Sequence, residues 1–497
     1  MHILESSAFS FWGILPEFSI LVTDLVLLVL AVFFRRFPNA LSKLSYYMCL
    51  SVSFFALCLF VYRFPDPRYY FWDSFYVNDS IVRTCDALAC IMYLFALPYS
   101  RSLLGELPNK SDFYPLSLMI LLGCLVMSSA NHWLSLYLGL EITSIALYTV
   151  VTFDRDRPTA NEAAVKYFIL GAVASAIFLF GTSYAYGVIG NSYIHNSHIV
   201  VDSLFFNYSL LSSSVLLMFA SSCFKLGIFP FHAWVSDVYA GATEASLPFL
   251  TALAKVGSAI FAVKILFHGF SVLHVVWHPV LPAIALITIL FGNVVAIAQK
   301  NIKKMLAFSS VSQMGFVLLS FFSAYATSAY DRNINLNFYS SFLFFIFSYS
   351  ISVLAAIAFC TLVRKNDHPI VNISDLSGIF YKNPLLASMA CMVFLSLAGI
   401  PPLLGFWAKF FVINRLVAAD HLLIAVMSVL FSAVGIFYYL RVIKVMFFDD
   451  VQPDDSWHMV SSSNCLWIIN CLILLFVGAF SHPLMNSITD AVYSTGL

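Results

Sequence analysis

Glu141 lies in LYLGLEITSIALY, Lys225 in FKLGIFPFHAW, Lys255 in TALAKVGSAI and Lys409 in GFWAKFFV, each inside a long apolar run. A charge at the centre of a membrane helix costs about 2.5–3.5 kcal/mol on insertion scales, so four of them require one another or buried water. Carboxylates and amines are also the groups whose protonation a dry interior controls, because desolvation disfavours an ammonium and a nearby carboxylate restores it. Gathered in space, these residues could pass a proton along. Glu141 would set the charge of Lys225, Lys255 and His232 would hand the proton onward, and Lys409 would release or accept it at the far side. Plainer readings stand beside this one. Glu141 could serve only as an ion-pair partner, and Lys255 could reach an interface along its stem.

Other candidates are ambiguous. Lys166, four residues into the predicted sixth span, and Lys303, opening the tenth beside Lys304, fit either inside-positive anchors or the rim of a water path. His274 and His278 are four apart but sit at a loop edge without a third ligand, which favours a structural role over a metal. The 10 cysteines lack CxxC spacing and lie mostly in apolar runs, as small packing residues do.

The elements that must position these residues follow from composition. The chain of 497 residues is 61% hydrophobic and 10% charged, against about 25% charged in soluble domains. Its mean hydropathy is +0.90. The bilayer is the solvent such a chain requires. A formal net charge of zero gives no electrostatic footprint for nucleic acid. Apolar runs of roughly 20 residues recur along the chain and predict about fourteen helices in one all-α bundle with short connections. Lys and Arg alternate between connections: one set holds Arg35, Arg36, Lys43, Arg101, Lys110, Arg155, Arg157, Lys300, Lys303, Lys304, Arg364, Lys365, Lys382, Arg441 and Lys444, while the other holds Arg63, Arg68, Arg332 and Arg415. The rich set faces inside and both termini face outside. With no basic region or cleavage signature at the N-terminus, the first span is expected to remain in the mature protein.

Two spans carry the same interruption. GIFPFH at 227–232 and GIPPLLGF at 399–406 each place Gly-Ile before proline inside a helix, so Gly227 and Pro230 in the seventh span, and Gly399, Pro401 and Pro402 in the twelfth, predict broken helices. Matched breaks in two halves of a chain point to inverted repeats around a binding site; two unrelated proline kinks remain the alternative. The corresponding division is 1–110 (three helices), 111–270 (helices 4–8), 271–450 (helices 9–13, inverted) and 451–497 (helix 14).

Three stretches in order, FKLGIFPFHAWVSDVYAGATEASLPFLTALAK, NIKKMLAFSSVSQMGF and SLAGIPPLLGFWAKF, resemble the antiporter-like proton-translocating membrane subunits of respiratory complex I, over about residues 110–450. FHAWVSDVYAGA, the lysine at 409 and YYLRVIKVMFFDD are similar to the branch called chain N, or subunit 2 in mitochondria. The resemblance implies proton translocation driven by quinone reduction elsewhere in an NADH:ubiquinone oxidoreductase. It implies a path through Glu141, Lys225, Lys255, His232 and Lys409, with Lys166 and Lys303 secondary. It also implies no redox centre in this chain, with NADH, FMN, iron–sulfur clusters and ubiquinone on partner subunits. The implied neighbours are the sister chain M, the small membrane subunits and lipids such as cardiolipin. One departure is GATEASLP, where Glu244 stands in place of a usual neutral residue. The expected location is the mitochondrial inner membrane, with the bacterial cytoplasmic membrane as the alternative. A subunit of a multi-subunit Na⁺/H⁺ antiporter and a purely structural membrane subunit are the rival functions.

Overall fold

A computed structural model describes residues 2–34, 37–62, 69–72, 74–105, 110–194, 208–324, 332–451, 455–460 and 464–493. The apolar runs form α1 (His2–Phe33), α2 (Pro38–Tyr62), α3 (Ser80–Leu104), α4 (Phe113–Ser129), α5 (Trp133–Val151) and α6 (Pro158–Ile189). Then come α7a (Tyr208–Leu226) and α7b (Ala233–Gly241), α8 (Glu244–Gly269), α9 (His274–Ala298), α10 (Ile302–Phe322) and α11 (Arg332–Leu362). The chain ends in α12a (Pro384–Ala398), α12b (Leu404–Ala418), α13 (Leu422–Phe448), α14a (Asn464–Ala479) and α14b (Ser481–Tyr493). Backbone groups have no water to bond in lipid, so the helix is the form such runs must take.

Among the described residues, twelve segments are long and apolar enough to cross a membrane, or 13 if α14a and α14b, bent by 81°, count as one. The remaining expected crossing is the twelfth: its halves are 15 residues each, and neither alone spans a bilayer. The apolar run at 464–482 shows no sign that the chain turns at Phe480 into a second helix. α6 begins at Pro158, earlier than the hydropathy suggests, because proline is pre-shaped for the first helical position. Lys166 therefore lies in the third turn.

Burial sorts the helices. The spans of α8, α10 and α11 are 94% buried and form the centre, whereas that of α13 is 28% buried and faces outward with Leu423, Leu430 and Phe437 exposed. Two small sheets were not anticipated. β1 (Tyr69–Phe71) pairs antiparallel with β2 (Tyr76–Asn78) at one end of the bundle. At the other end β3 (Val363–Lys365) lies between β4 (His368–Pro369) and β5 (Trp457–Met459).

The described connections lie at two ends of the bundle; Arg35, Arg36, Arg63 and Arg68 of the charge pattern lie outside the described residues. On the Lys/Arg-rich end, Arg441 donates to the Ile297 and Gln299 carbonyls, both at 2.7 Å, and Asn301 bridges Asn372. On the opposite end, Tyr76 bridges Ala130, His132 bridges Tyr193, and Asn78 Nδ2 donates to the Gly13 carbonyl at 3.1 Å.

Candidate functional site

The seventh and twelfth helices stop in the same way. Gly227 (φ 74°) and Gly399 (φ 87°) take the left-handed conformation that L side chains resist. The N–H of Ile228 then closes on the Cys223 carbonyl at 2.9 Å, and that of Ile400 on the Leu395 carbonyl at 3.1 Å. This is a Schellman closure, which leaves the last carbonyls of each half-helix pointing into the protein. Each break continues through a cis X-Pro bond, Phe229–Pro230 and Pro401–Pro402.

The freed carbonyls receive lysines. Lys255 Nζ, on a residue 1% exposed, donates to the Leu226 carbonyl and stands 5.4 Å over the Trp234 ring. Lys409 Nζ donates to the Ala398 carbonyl at 3.0 Å and the Leu397 carbonyl at 3.3 Å, 5.6 Å over the Phe316 ring. The carboxyl end of a helix carries about half a negative charge, so an ammonium there is offset without a counter-ion residue. The same mid-membrane helix ends hold coupling ions in transporters with broken helices. Backbone helix ends, and not carboxylates, accommodate two of the four buried charges.

Lys225 is different. It ends α7a just before the break, and its Nζ donates to the Ser144 hydroxyl on α5 at 2.8 Å. Ser144 in turn donates to the Leu140 carbonyl at 2.7 Å. Glu141, one turn before Ser144, is not in ion-pair contact with Lys225, and its Oε1 is buried without a hydrogen-bond partner. The expected partner of Lys225 is thus near it without touching it, and the hydroxyl of Ser144 takes the hydrogen bond instead.

His232 does not join either lysine. Its ring lies between Phe229 and Phe291, with centroids at 5.6 and 4.5 Å, and its Nδ1 is buried without a partner. Lys166 pairs with Glu162 at 2.8 Å and Asp237 at 3.0 Å, all substantially exposed. Lys303 is no simple surface anchor: it bonds Glu244 Oε1 at 3.0 Å, and Arg364 bonds Oε2 of the same carboxylate at 3.1 Å. The unexpected Glu244 is therefore a cross-link between α8, α10 and β3. Lys166, Asp237, Glu244, Lys303 and Lys304 line one cavity of about 460 Å³ on the Lys/Arg-rich end. His278 Nε2 bonds the Phe322 carbonyl at 2.9 Å and His274 Nδ1 the Ser271 carbonyl at 3.1 Å, so backbone takes up both histidines.

Between the two breaks runs a string of hydroxyls that neither charge nor motif spacing pointed to. Tyr349 donates to Ser310 Oγ at 2.7 Å, and the Tyr239 hydroxyl of α7b lies 3.5 Å from the same oxygen. Gln313 Nε2 donates to the Leu397 carbonyl at 3.2 Å, beside Lys409. Gln313, Tyr349, Ser348, Ser352, Ser396 and Lys409 line a cavity of about 10 Å³, close to the least that holds one water. The runs SSVSQ (309–313) and SYSIS (348–352) carry the signal as hydroxyl-rich segments in apolar helices.

Residues 130–435 match the family described as NADH:quinone oxidoreductase/Mrp antiporter, TM. The chain is 33% identical over 488 residues to the NADH-quinone oxidoreductase subunit N of Methylovorus glucosotrophus, covering 97% of each. It is 36% identical over 448 residues to that of Azoarcus sp., covering 90% of each. Among solved structures, a chain of respiratory complex I from Thermus thermophilus superposes with a TM-score of 0.79 at 23% identity, covering 95% of this chain and 99% of that one. A chain of the Mrp complex from Dietzia sp. superposes with a TM-score of 0.84 at 17% identity, covering 98% of each. These two likenesses establish the fold.

Proposed function

This chain belongs to the NADH:quinone oxidoreductase/Mrp antiporter family, and from that premise we propose that it is the N-type membrane subunit of an NADH:quinone oxidoreductase and carries protons across the bilayer. The observation that carries the proposal is the pair of helix breaks, each with a lysine seated on its freed carbonyls. A lysine held by a helix end, with no fixed carboxylate, can be neutral or charged at modest cost, which a proton carrier requires.

The proposed order begins at Lys225, held by Ser144, with its proton occupancy biased by Glu141 one turn away. It continues to Lys255 behind the first break and through Tyr239, Ser310 and Tyr349 to Lys409 behind the second. Lys303 and Lys166 border the inner cavity, where protons would enter. Residues 111–270 and 271–450 are proposed as the two inverted repeats, supported by the matched breaks in helices of opposite direction. Flavin, iron–sulfur clusters and quinone chemistry belong to partner subunits on this proposal, with a sister antiporter-like chain M, small membrane subunits and cardiolipin as neighbours. The chain is a multi-pass membrane protein. Its relatives named above are bacterial, which favours a bacterial cytoplasmic membrane over the mitochondrial inner membrane.

The fold match to an Mrp chain keeps a second function in view, cation–proton exchange without a redox partner. Native mass spectrometry of the gently extracted complex separates the two. Recovery with quinone-reducing subunits is the expected result, and recovery with small membrane subunits alone would favour the exchanger.

A further inference from the structure

A second cluster of buried ionisable groups lies outside the lysine path, where the first three helices meet α4 and α8. Glu17, Asp79, Arg83, Asp86 and Lys264 are each 4% exposed or less. Tyr76 of β2 donates its hydroxyl to Glu17 Oε1, and Ser128 at the end of α4 donates to Asp86 Oδ1. Asp86 lies within range of the charges of Glu17, Lys264 and Asp79. Its second oxygen, Oδ2, is buried without a hydrogen-bond partner among the described residues. Ser128, Lys264, His268 and Tyr339 border a cavity of about 20 Å³ whose remaining walls are apolar side chains such as Ile81, Val263 and Phe342. The Tyr339 hydroxyl is 3.2 Å from His268 Nε2.

The placement is at the end opposite the Lys/Arg-rich connections. Asp86 is in the second turn of α3, Ser128 is one residue from the end of α4, and Lys264 opens the π-helical stretch that ends α8. Each charge here costs about 2.5–3.5 kcal/mol at a helix centre and less toward the interface. A cluster kept only for packing would close its polar atoms, as buried groups almost always do. Here one carboxylate oxygen has no partner among the described residues, and the serine bound to its other oxygen borders a cavity that Lys264 also lines. A carboxyl that alternates between charged and neutral forms needs such an oxygen.

We propose that Asp86 is a further proton-binding residue, the centre of an outward-facing site in the N-terminal three-helix segment. A proton passes from the Lys264 ammonium, which shares the cavity wall with Ser128, to the Asp86 carboxylate that Ser128 binds. Glu17 and Tyr76 then carry it to the β1–β2 hairpin. One N–H bond is lost and one O–H bond formed, and no co-reactant is needed. The inference rests on the proton-carrying function proposed above.

The test uses the intact complex in proteoliposomes and reads protons moved per electron. Asp86→Asn keeps the shape and cannot ionise, Asp86→Glu keeps the acid, and Lys225→Ala is the reference. Asp86→Asn is expected to lower the ratio to the Lys225→Ala value and to abolish an infrared protonated-carboxyl band, while Asp86→Glu restores both. A wild-type ratio in Asp86→Asn beside a lowered ratio in Lys225→Ala overturns this inference alone. Wild-type ratios in both overturn the proton-carrying function and this site with it. Should Asp86→Asn not assemble, Lys264→Gln takes its place: a lowered ratio supports the site and a wild-type ratio overturns it.

Discussion

The ammonium of Lys225 is directed at the Ser144 hydroxyl, 2.8 Å away, and not at Glu141 three residues earlier on the same helix as Ser144. Residues three apart on a helix share a face, so the carboxylate lies one turn from the hydroxyl that holds the lysine. Such an arrangement lets the charge of Glu141 bias Lys225 without trapping it in a tight ion pair.

Ser144→Ala removes that hydroxyl. A hydrogen bond from a charged donor is worth about 1.5–3 kcal/mol, and each 1.4 kcal/mol is a factor of ten. Proton translocation by the variant complex is expected to slow at least about tenfold, while Ser144→Thr stays near wild type. The check is the initial rate of acidification in proteoliposomes energised with NADH. An unchanged rate in Ser144→Ala would remove Ser144 from the path.

The two break glycines make a stability prediction. A Cβ at Gly227 would meet Val235 Cγ2 at 2.6 Å and Lys255 Nζ at 3.2 Å, and one at Gly399 would meet Lys409 Cδ at 3.1 Å. The left-handed conformation adds about 1–2 kcal/mol for an L residue. Gly227→Ala and Gly399→Ala should each reduce assembled complex on native gels and lower its melting temperature. Gly187, in α6 with nothing within 4 Å of a Cβ, is the control. Gly187→Ala should be neutral or stabilise slightly.

These glycines were legible in the sequence because Gly-Ile followed by proline interrupts an apolar helix wherever it falls. The four intramembrane charges stood out because their penalty makes them rare. What they touch was not legible. One another or buried water were the expected partners, but those of Lys255 and Lys409 are carbonyls of Leu226, Leu397 and Ala398, and a backbone group has no signature in a sequence. His232 was expected on the path by its nearness to the break, yet past the break its ring is turned toward Phe291. Glu244 read as a loop residue because Lys303 and Arg364 approach it from 59 and 120 residues away. The hydroxyls of Ser310 and Tyr349 were hidden by frequency, since serine is common in membrane helices where it bonds the turn behind it.

Glu244→Gln tests the cross-link to Lys303 and Arg364. Removing one member of a largely buried ion network costs on the order of 3 kcal/mol because it strands the others. Thermal unfolding of the purified complex should report a clear loss. Glu244→Gln combined with Lys303→Met should recover part of it. Equal stability of Glu244→Gln and wild type would reduce the network to a surface feature.

Tyr349→Phe removes the hydroxyl that reaches Ser310 without changing the ring. A neutral hydrogen bond contributes about 1 kcal/mol net, so transfer toward Lys409 is expected to slow about fivefold with normal assembly. The matched measurement is proton flux at constant electron flux. Undiminished flux would mean that protons reach Lys409 by another route.

The most direct test is the number of protons moved per electron in reconstituted complexes carrying Lys225→Ala, Lys255→Ala or Lys409→Ala, with assembly verified first. If lysines seated at the breaks carry the protons, each variant lowers the ratio while NADH-driven quinone reduction continues. Wild-type ratios in all three would contradict the proposal and leave the buried charges a structural role only.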